Sequence, residues 1–139
     1  MVTAGGDIPA RGFLFDTNIL IAALRGEEAV AQQLAELPPE SLFVPAITLG
    51  ELYFGARKSA RSEENLARFE RFAADFEILP CNEATARLYA SVRNTLRRKG
   101  RPIPENDIWI AAIALRHDLI LVSRDSHFEH VESLRLEHW

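Results

Sequence analysis

The chain has 139 residues, is 47% hydrophobic and 26% charged, and carries a net charge of −4. That length fits one domain able to bury about two-thirds of the surface its unfolded chain exposes, and no apolar run approaches the roughly 20 residues that cross a bilayer. Cys81 is the sole cysteine, which excludes an intrachain disulfide and makes a reducing cytoplasm the expected compartment.

Residues 1–11, MVTAGGDIPAR, lack the basic-then-apolar order of a secretory signal and are expected to form a mobile tail, with one domain over 12–139. Phe13–Phe15 is a short apolar strand candidate followed by Asp-Thr-Asn, a helix-start cluster. Helices are expected over Ile19–Leu24 and Glu28–Leu37, broken at Gly26 and stopped by Pro38-Pro39. Leu42–Val44 is a second strand candidate, with Pro45 suited to the first turn of the helix that follows. Ile47, Leu49, Leu52, Tyr53 and Ala56 give that helix an apolar face, and a further helix spans about Ser62–Ala74, with Glu64 and Arg68 four residues apart.

Phe76–Leu79 is expected to be a strand ended by Pro80. Asn82 then caps a long helix that Gly100 stops. Ile108–Leu115 is helical, Leu119–Val122 a buried strand and Leu134–Leu136 an edge strand. Strands alternating with helices imply an α/β fold with a mostly parallel sheet covered on both faces. Ligands of such sheets sit beyond the carboxyl ends of the strands.

Four carboxylates fall at that edge. Asp16 and Asp125 each follow a strand, while Glu51 and Asp107 lie in the first turns of helices starting from the same side. Each acid also has a local explanation. Asp16 suits an N-cap, Glu51 completes the capping-box pattern Thr48-x-x-Glu51, Asp107 and Asn106 are both good caps, and Asp125 is a common turn residue. Independent caps have no reason to recur in this order and in these apolar contexts. Like charges do not gather for stability, so their convergence implies a hard cation held by oxygen ligands, and phosphodiester hydrolysis as its chemistry.

Mg²⁺ fits such donors, keeping several waters in octahedral geometry, and Mn²⁺ accepts the same set. Zinc does not fit. His117, His127, His130 and His138 gather toward the C-terminus, and His127 and His130 read as surface or tail residues rather than ligands. A phosphatase of the haloacid dehalogenase type also begins with a strand-end Asp, but needs Asp-x-Asp, and Asn18 occupies the second position.

The strings that carry these acids resemble a PIN-domain ribonuclease, and within that family the VapC toxins of bacterial type II toxin–antitoxin systems. FLFD with Asp16, ITLGELYFG with Glu51, DIWIAA with Asp107 and LVSRD with Asp125 occur in the family's order, and the tail from Phe128 to Trp139 is also similar, so the likeness covers about Gly12 to Trp139. It implies a PIN-like three-layer α/β/α sandwich with about five strands. It implies Asp16, Glu51, Asp107 and Asp125 as catalytic metal-site acids; the adjacent Asn18, Thr48 and Ser123 are candidates to orient carboxylates or waters, with simple local capping the alternative for each. It further implies a Mg²⁺- or Mn²⁺-dependent endoribonuclease leaving a 5′-phosphate and a 3′-hydroxyl. A homodimer or toxin–antitoxin assembly is implied as well, with a VapB-like antitoxin presenting a cation to the acidic pocket. The alternative is a silent PIN-like module that binds RNA or protein.

Two basic clusters surround these motifs: Arg57, Lys58 and Arg61, then Arg93, Arg97, Arg98, Lys99 and Arg101. They suit helix C-termini, where cations favour the macrodipole, and equally a rim that steers phosphates. Tyr53, Phe54 and Trp109 are candidates for a partner groove or a dimer interface, with helical core the default for each.

Overall fold

A computed structural model describes residues 12–139; the tail expected over 1–11 lies outside the described residues. The first strand is β1 (Phe13–Phe15), three apolar residues of which Leu14 and Phe15 are fully buried and Phe13 partly. Helices α1 (Thr17–Leu24) and α2 (Glu28–Glu36) follow, then β2 (Leu42–Pro45), α3 (Ala46–Lys58), α4 (Ser62–Ala73), β3 (Glu77–Leu79) and α5 (Glu83–Arg98). Helix α6 (Glu105–His117), β4 (Ile120–Val122) and β5 (Leu136–Glu137) complete the order. Two 3₁₀ turns, Pro39–Ser41 and Ser126–His130, have no counterpart in the sequence reading.

All pairings in the sheet are parallel, in the order β3-β2-β1-β4-β5. The chain builds outward from β1 in one direction through β3, then returns to place β4 on the other flank of β1. That reversal opens a crevice at the carboxyl ends of β1 and β4, the usual place for a ligand in a doubly wound sheet. The fold is therefore the three-layer sandwich expected from the alternation of strands and helices.

Side-chain alternation decides which helices cover which face. Leu14 and Leu121 point into a cluster with Val92 and Leu96 of α5 and Ile108, Ile110, Ala111 and Ile113 of α6. Their neighbours Phe15 and Val122 point the other way, onto Ile19 and Leu20 of α1, Val30 of α2, Leu52 of α3 and Phe69 of α4. Trp139 joins that second core, its ring edge-on to Phe15 at 5.3 Å between centroids.

Local chemistry sets the helix ends nearest the crevice. Asp16 accepts the Thr17 N–H and caps α1. Asn82 and Thr85 exchange hydrogen bonds in a full capping box at α5, and Gly100, at φ +66, takes the left-handed turn after it. Pro45 and Pro104 cap α3 and α6 without a side-chain hydrogen bond. Thr48 therefore lies inside α3 rather than at its cap, and the capping box read from Thr48 and Glu51 does not form. Arg61 pairs with Glu64 at 3.9 Å, three residues apart on an exposed face.

Gly12 fixes how closely β1 approaches its neighbours. A Cβ there would stand 2.8 Å from the Ser41 carbonyl oxygen and 2.8 Å from the Phe43 ring. The Gly12 carbonyl also accepts the Ile120 N–H at 3.0 Å. Gly12→Ala is expected to destabilise the fold by about 1–3 kcal/mol, as overpacking against backbone does, read as a lower denaturant midpoint at unchanged slope. An unchanged midpoint would mean that β2 moves aside at no cost.

No helix among the described residues is long and apolar enough to cross a membrane. Arg57 and Lys58 stand in the last turn of α3, and Arg97 and Arg98 in the last turn of α5, where the macrodipole favours them.

Candidate metal centre

The registers of β1 and β4 place their last residues, Phe15 and Val122, side by side. The next residue of each strand therefore emerges into the crevice as a neighbour of the other. These are Asp16 and Ser123, buried to 5% and 0% exposure. Ser123 Oγ donates to Asp16 Oδ2 at 2.7 Å, and Asp16 Oδ1 takes the Thr17 N–H at 2.8 Å. Asp16 is thus a cap, as its local context suggests, and still keeps both oxygens at the crevice.

Glu51 arrives from α3, six residues into the helix and one turn deeper than a first-turn position. Its Oε1 accepts the Thr17 hydroxyl at 2.8 Å, which ties α3 to the start of α1. Asp107 lies in the first turn of α6. Asp125 is the third residue after β4; its main-chain N–H donates to Ser123 Oγ at 3.0 Å, so one serine hydroxyl holds both the Asp16 carboxylate and the backbone of Asp125. Asp125 also caps the turn Ser126–His130 by accepting the His127 N–H at 2.9 Å.

Burial and mutual repulsion act together on this group. Burial pushes the Asp16 carboxyl up from 3.8 to about 6, against the hydrogen bonds from Ser123 and Thr17, and the charges of Asp107 and Glu51 push it further up. Asp107 is likewise raised, first by burial, with a hydrogen bond from His127 opposing and the charges of Asp125 and Glu51 adding to the rise. Asp107 therefore links the whole set: it feels Asp125 and Glu51, and Asp16 feels Asp107. All four acids read from the sequence meet at one crevice.

The three polar neighbours divide. Ser123 contacts Asp16 and Asp125 directly. Asn18 accepts the Arg124 N–H at 3.3 Å and so holds the loop after β4 rather than an acid. Thr48 is fully buried and its hydroxyl has no hydrogen-bond partner among the described residues. Arg124 braces the same loop, with its guanidinium 2.8 Å from Glu27 and its Nε donating to the Trp139 carbonyl at 2.8 Å.

Sequence reasoning missed His127. It is at the surface, as expected of it, but its Nδ1 stands 3.2 Å from Asp107 Oδ2 and 2.9 Å from Asp125 Oδ1. Ligand atoms of Asp107, Asp125 and His127 all lie within 4.8 Å of one another. The only local signal is the spacing of two from Asp125 at the start of a turn, which is too common to single it out.

A groove of about 320 Å³ runs beside the crevice between α1, α3 and α4. Thr17 and Glu51 stand at one part of its lining, and Arg25, Arg68, Ile21, Leu24 and Phe69 line the rest. Tyr53 is half-buried with its ring edge-on to Phe69, and Trp109 is stacked on Tyr89 at 4.0 Å. Phe54 departs from the core default, being 62% exposed with the Lys58 ammonium 4.8 Å above its ring.

A doubly wound parallel sheet gathers carboxylates at its switch point here, a donor set of the kind that suits a divalent cation. A PIN-domain family model matches residues 13–134. The chain is 35% identical over 128 residues to the tRNA(fMet)-specific endonuclease VapC of Shigella flexneri, covering 91% of this chain and 97% of that one. It is 36% identical over 128 residues to ribonuclease VapC2 of Haemophilus influenzae, with the same shares covered. The DNA-bound VapBC structure from Salmonella typhimurium superposes at a TM-score of 0.87 with 32% identity, over 92% of this chain and 98% of that one. VapBC-1 from nontypeable Haemophilus influenzae superposes at 0.83 with 31% identity, over 91% and 97%. The chain belongs to the PIN-domain family, in its VapC ribonuclease branch.

Proposed function

We propose that this protein is the toxin of a type II toxin–antitoxin pair: a divalent-metal-dependent endoribonuclease held in check by a VapB-like antitoxin. The observation that carries the reading is the quartet Asp16, Glu51, Asp107 and Asp125, drawn from four separate elements to one crevice at an electrostatic cost. Residues 12–139 act in this reading as a single catalytic domain.

The donor set fits a hard cation. Carboxylate oxygens predominate, two of the acids are pushed toward protonation by burial and by one another, and a positive ion would relieve that repulsion. Asp16, Glu51, Asp107 and Asp125 would hold it, with Mg²⁺ the expected ion and Mn²⁺ an accepted substitute. When bound, the ion supplies a water of lowered pKa and charge stabilisation at the phosphate.

The chain's own groups do the rest. Ser123 fixes Asp16 and the loop of Asp125 with one hydroxyl, so both strand-end acids hold a common geometry. Thr17 does the same for Glu51. A carboxylate not committed to the ion accepts the proton of the attacking water, and cleavage leaves a 5′-phosphate and a 3′-hydroxyl. Arg25 and Arg68 give the neighbouring groove the charge to hold a polyanion, so binding should weaken with salt despite the net negative chain. The same apolar and basic groove suits an antitoxin segment, whose occupation would exclude RNA from the acids.

The test is induced expression of wild type and Asp16→Ala, followed by electrophoresis of total RNA. Growth arrest with discrete RNA fragments in the wild type alone is expected. Arrest by both proteins without fragments would overturn the nuclease reading in favour of a non-cutting binding module.

A further inference from the structure

His127 is the group beside the acids that a carboxylate-only site leaves without a role. It approaches two carboxylates on different elements at once, Asp107 of α6 and Asp125 of the loop after β4, at 3.2 and 2.9 Å. The turn that Asp125 caps brings its Oδ1 beside His127, and the fold of that turn over the start of α6 sets the same Nδ1 against Asp107, so one ring nitrogen faces both carboxylates. On a six-coordinate ion with bonds of about 2.1 Å, neighbouring ligands stand about 3.0 Å apart and opposite ones about 4.2 Å. Both separations match neighbouring positions, and all three residues offer ligand atoms within 4.8 Å of one another, close enough to converge on one ion.

The main chain that carries the imidazole is held in place. The His127 N–H is tied to Asp125 Oδ1 at 2.9 Å, and the next residue, Phe128, is locked into the core at 1% exposure. The site is open to an ion from solvent: the side chains of His127, Asp125 and Asp107 are 46%, 31% and 15% exposed.

We propose that His127 Nδ1 is a ligand of the divalent site, alongside Asp107 and Asp125, and that it biases the protein toward Mn²⁺ over Mg²⁺. This rests on the reading that the acids hold a divalent cation. Mg²⁺ prefers oxygen donors and retains its waters, whereas transition metals accept imidazole. Exchanging one oxygen donor for nitrogen therefore costs Mg²⁺ more than Mn²⁺. His127 is not required for the fold, because its side chain is half exposed and its neighbours are anchored independently.

The experiment is Mn²⁺ titration into the tag-free full chain, followed by electron paramagnetic resonance with spin-echo detection of ¹⁴N modulation, for wild type, His127→Gln and His130→Gln. Nitrogen modulation is expected in wild type and His130→Gln and absent from His127→Gln. In His127→Gln, Mn²⁺ affinity should fall roughly tenfold or more while Mg²⁺ affinity changes by less than about threefold. Thermal melts of all three establish that the variants are folded. Bound Mn²⁺ without nitrogen modulation in the wild type, or modulation that survives in His127→Gln, would overturn the assignment and leave the acidic site standing. A wild type that binds no Mn²⁺ at all would overturn both.

Discussion

Asp107→Asn is expected to lower RNA cleavage by at least about a hundredfold while the protein melts at the same temperature or higher. The two effects have one cause. Asp107 is half-buried, and burial together with the charges of Asp125 and Glu51 disfavours its ionised form, so neutralising it relieves repulsion in the metal-free protein. The same change removes an anionic ligand from the site. Loss of a group that only orients a ligand costs 10- to 100-fold, and loss of a ligand should exceed that. Single-turnover cleavage of an end-labelled RNA at saturating Mg²⁺ or Mn²⁺, paired with a thermal melt, measures both. Full activity would remove Asp107 from the set, and a lowered melting temperature would mean that its contact with His127 matters more to the fold than the repulsion does.

The second large effect concerns stability, pH and metal together. The folded Asp16 carboxyl releases its proton near pH 6, whereas in the unfolded chain it does so near 3.8. Between those values the folded state binds more protons, so the contribution of Asp16 favours the fold below pH 3.8 and is lost as pH rises through about 6. The difference corresponds to a loss on the order of 3 kcal/mol. Asp16→Asn avoids it, so in chelator the variant should gain on wild type as pH rises from 5 to about 7.5. Metal at about 100 times its dissociation constant should return roughly 2.7 kcal/mol to the wild type, on the order of 10 °C in melting temperature. The asparagine variant should gain far less. Differential scanning fluorimetry across pH, with and without Mg²⁺ or Mn²⁺, reads all of this. A wild type indifferent to both ions would argue against a preformed site.

The elements and their order were legible in the chain because their causes are local. Apolar runs bounded by Asp, Asn, Gly and Pro mark strands and helix ends within a few residues, and the observed bounds of β1, α2, α4 and α5 lie within a residue or so of those expected. The last strand is less accurate, Leu136–Glu137 against an expected Leu134–Leu136, because an edge strand is defined by its ladder with β4 rather than by its own pattern. The four acids were legible for a related reason. Strand ends and helix starts in a parallel sheet share one edge, so position along the chain already implies proximity.

What only the tertiary structure decided is how those groups meet. The hydrogen bond from Ser123 to Asp16 joins residues 107 apart and exists because β1 and β4 pair in one particular register. The depth of Glu51 follows from Pro45 taking the cap of α3, which also dissolves the capping box that Thr48 and Glu51 suggest. Phe54 is exposed because the other elements meet α3 along Leu52 and Tyr53, not because of anything in its own neighbourhood. His127 reaches Asp107 across 20 residues only because the turn after β4 folds over the start of α6. Amino-acid order specified the four carboxylates and the edge at which they gather, since both depend on local hydrogen bonding and hydrophobic period. Distances, burial and the company each carboxylate keeps depend on contacts between remote segments, and only packing sets those.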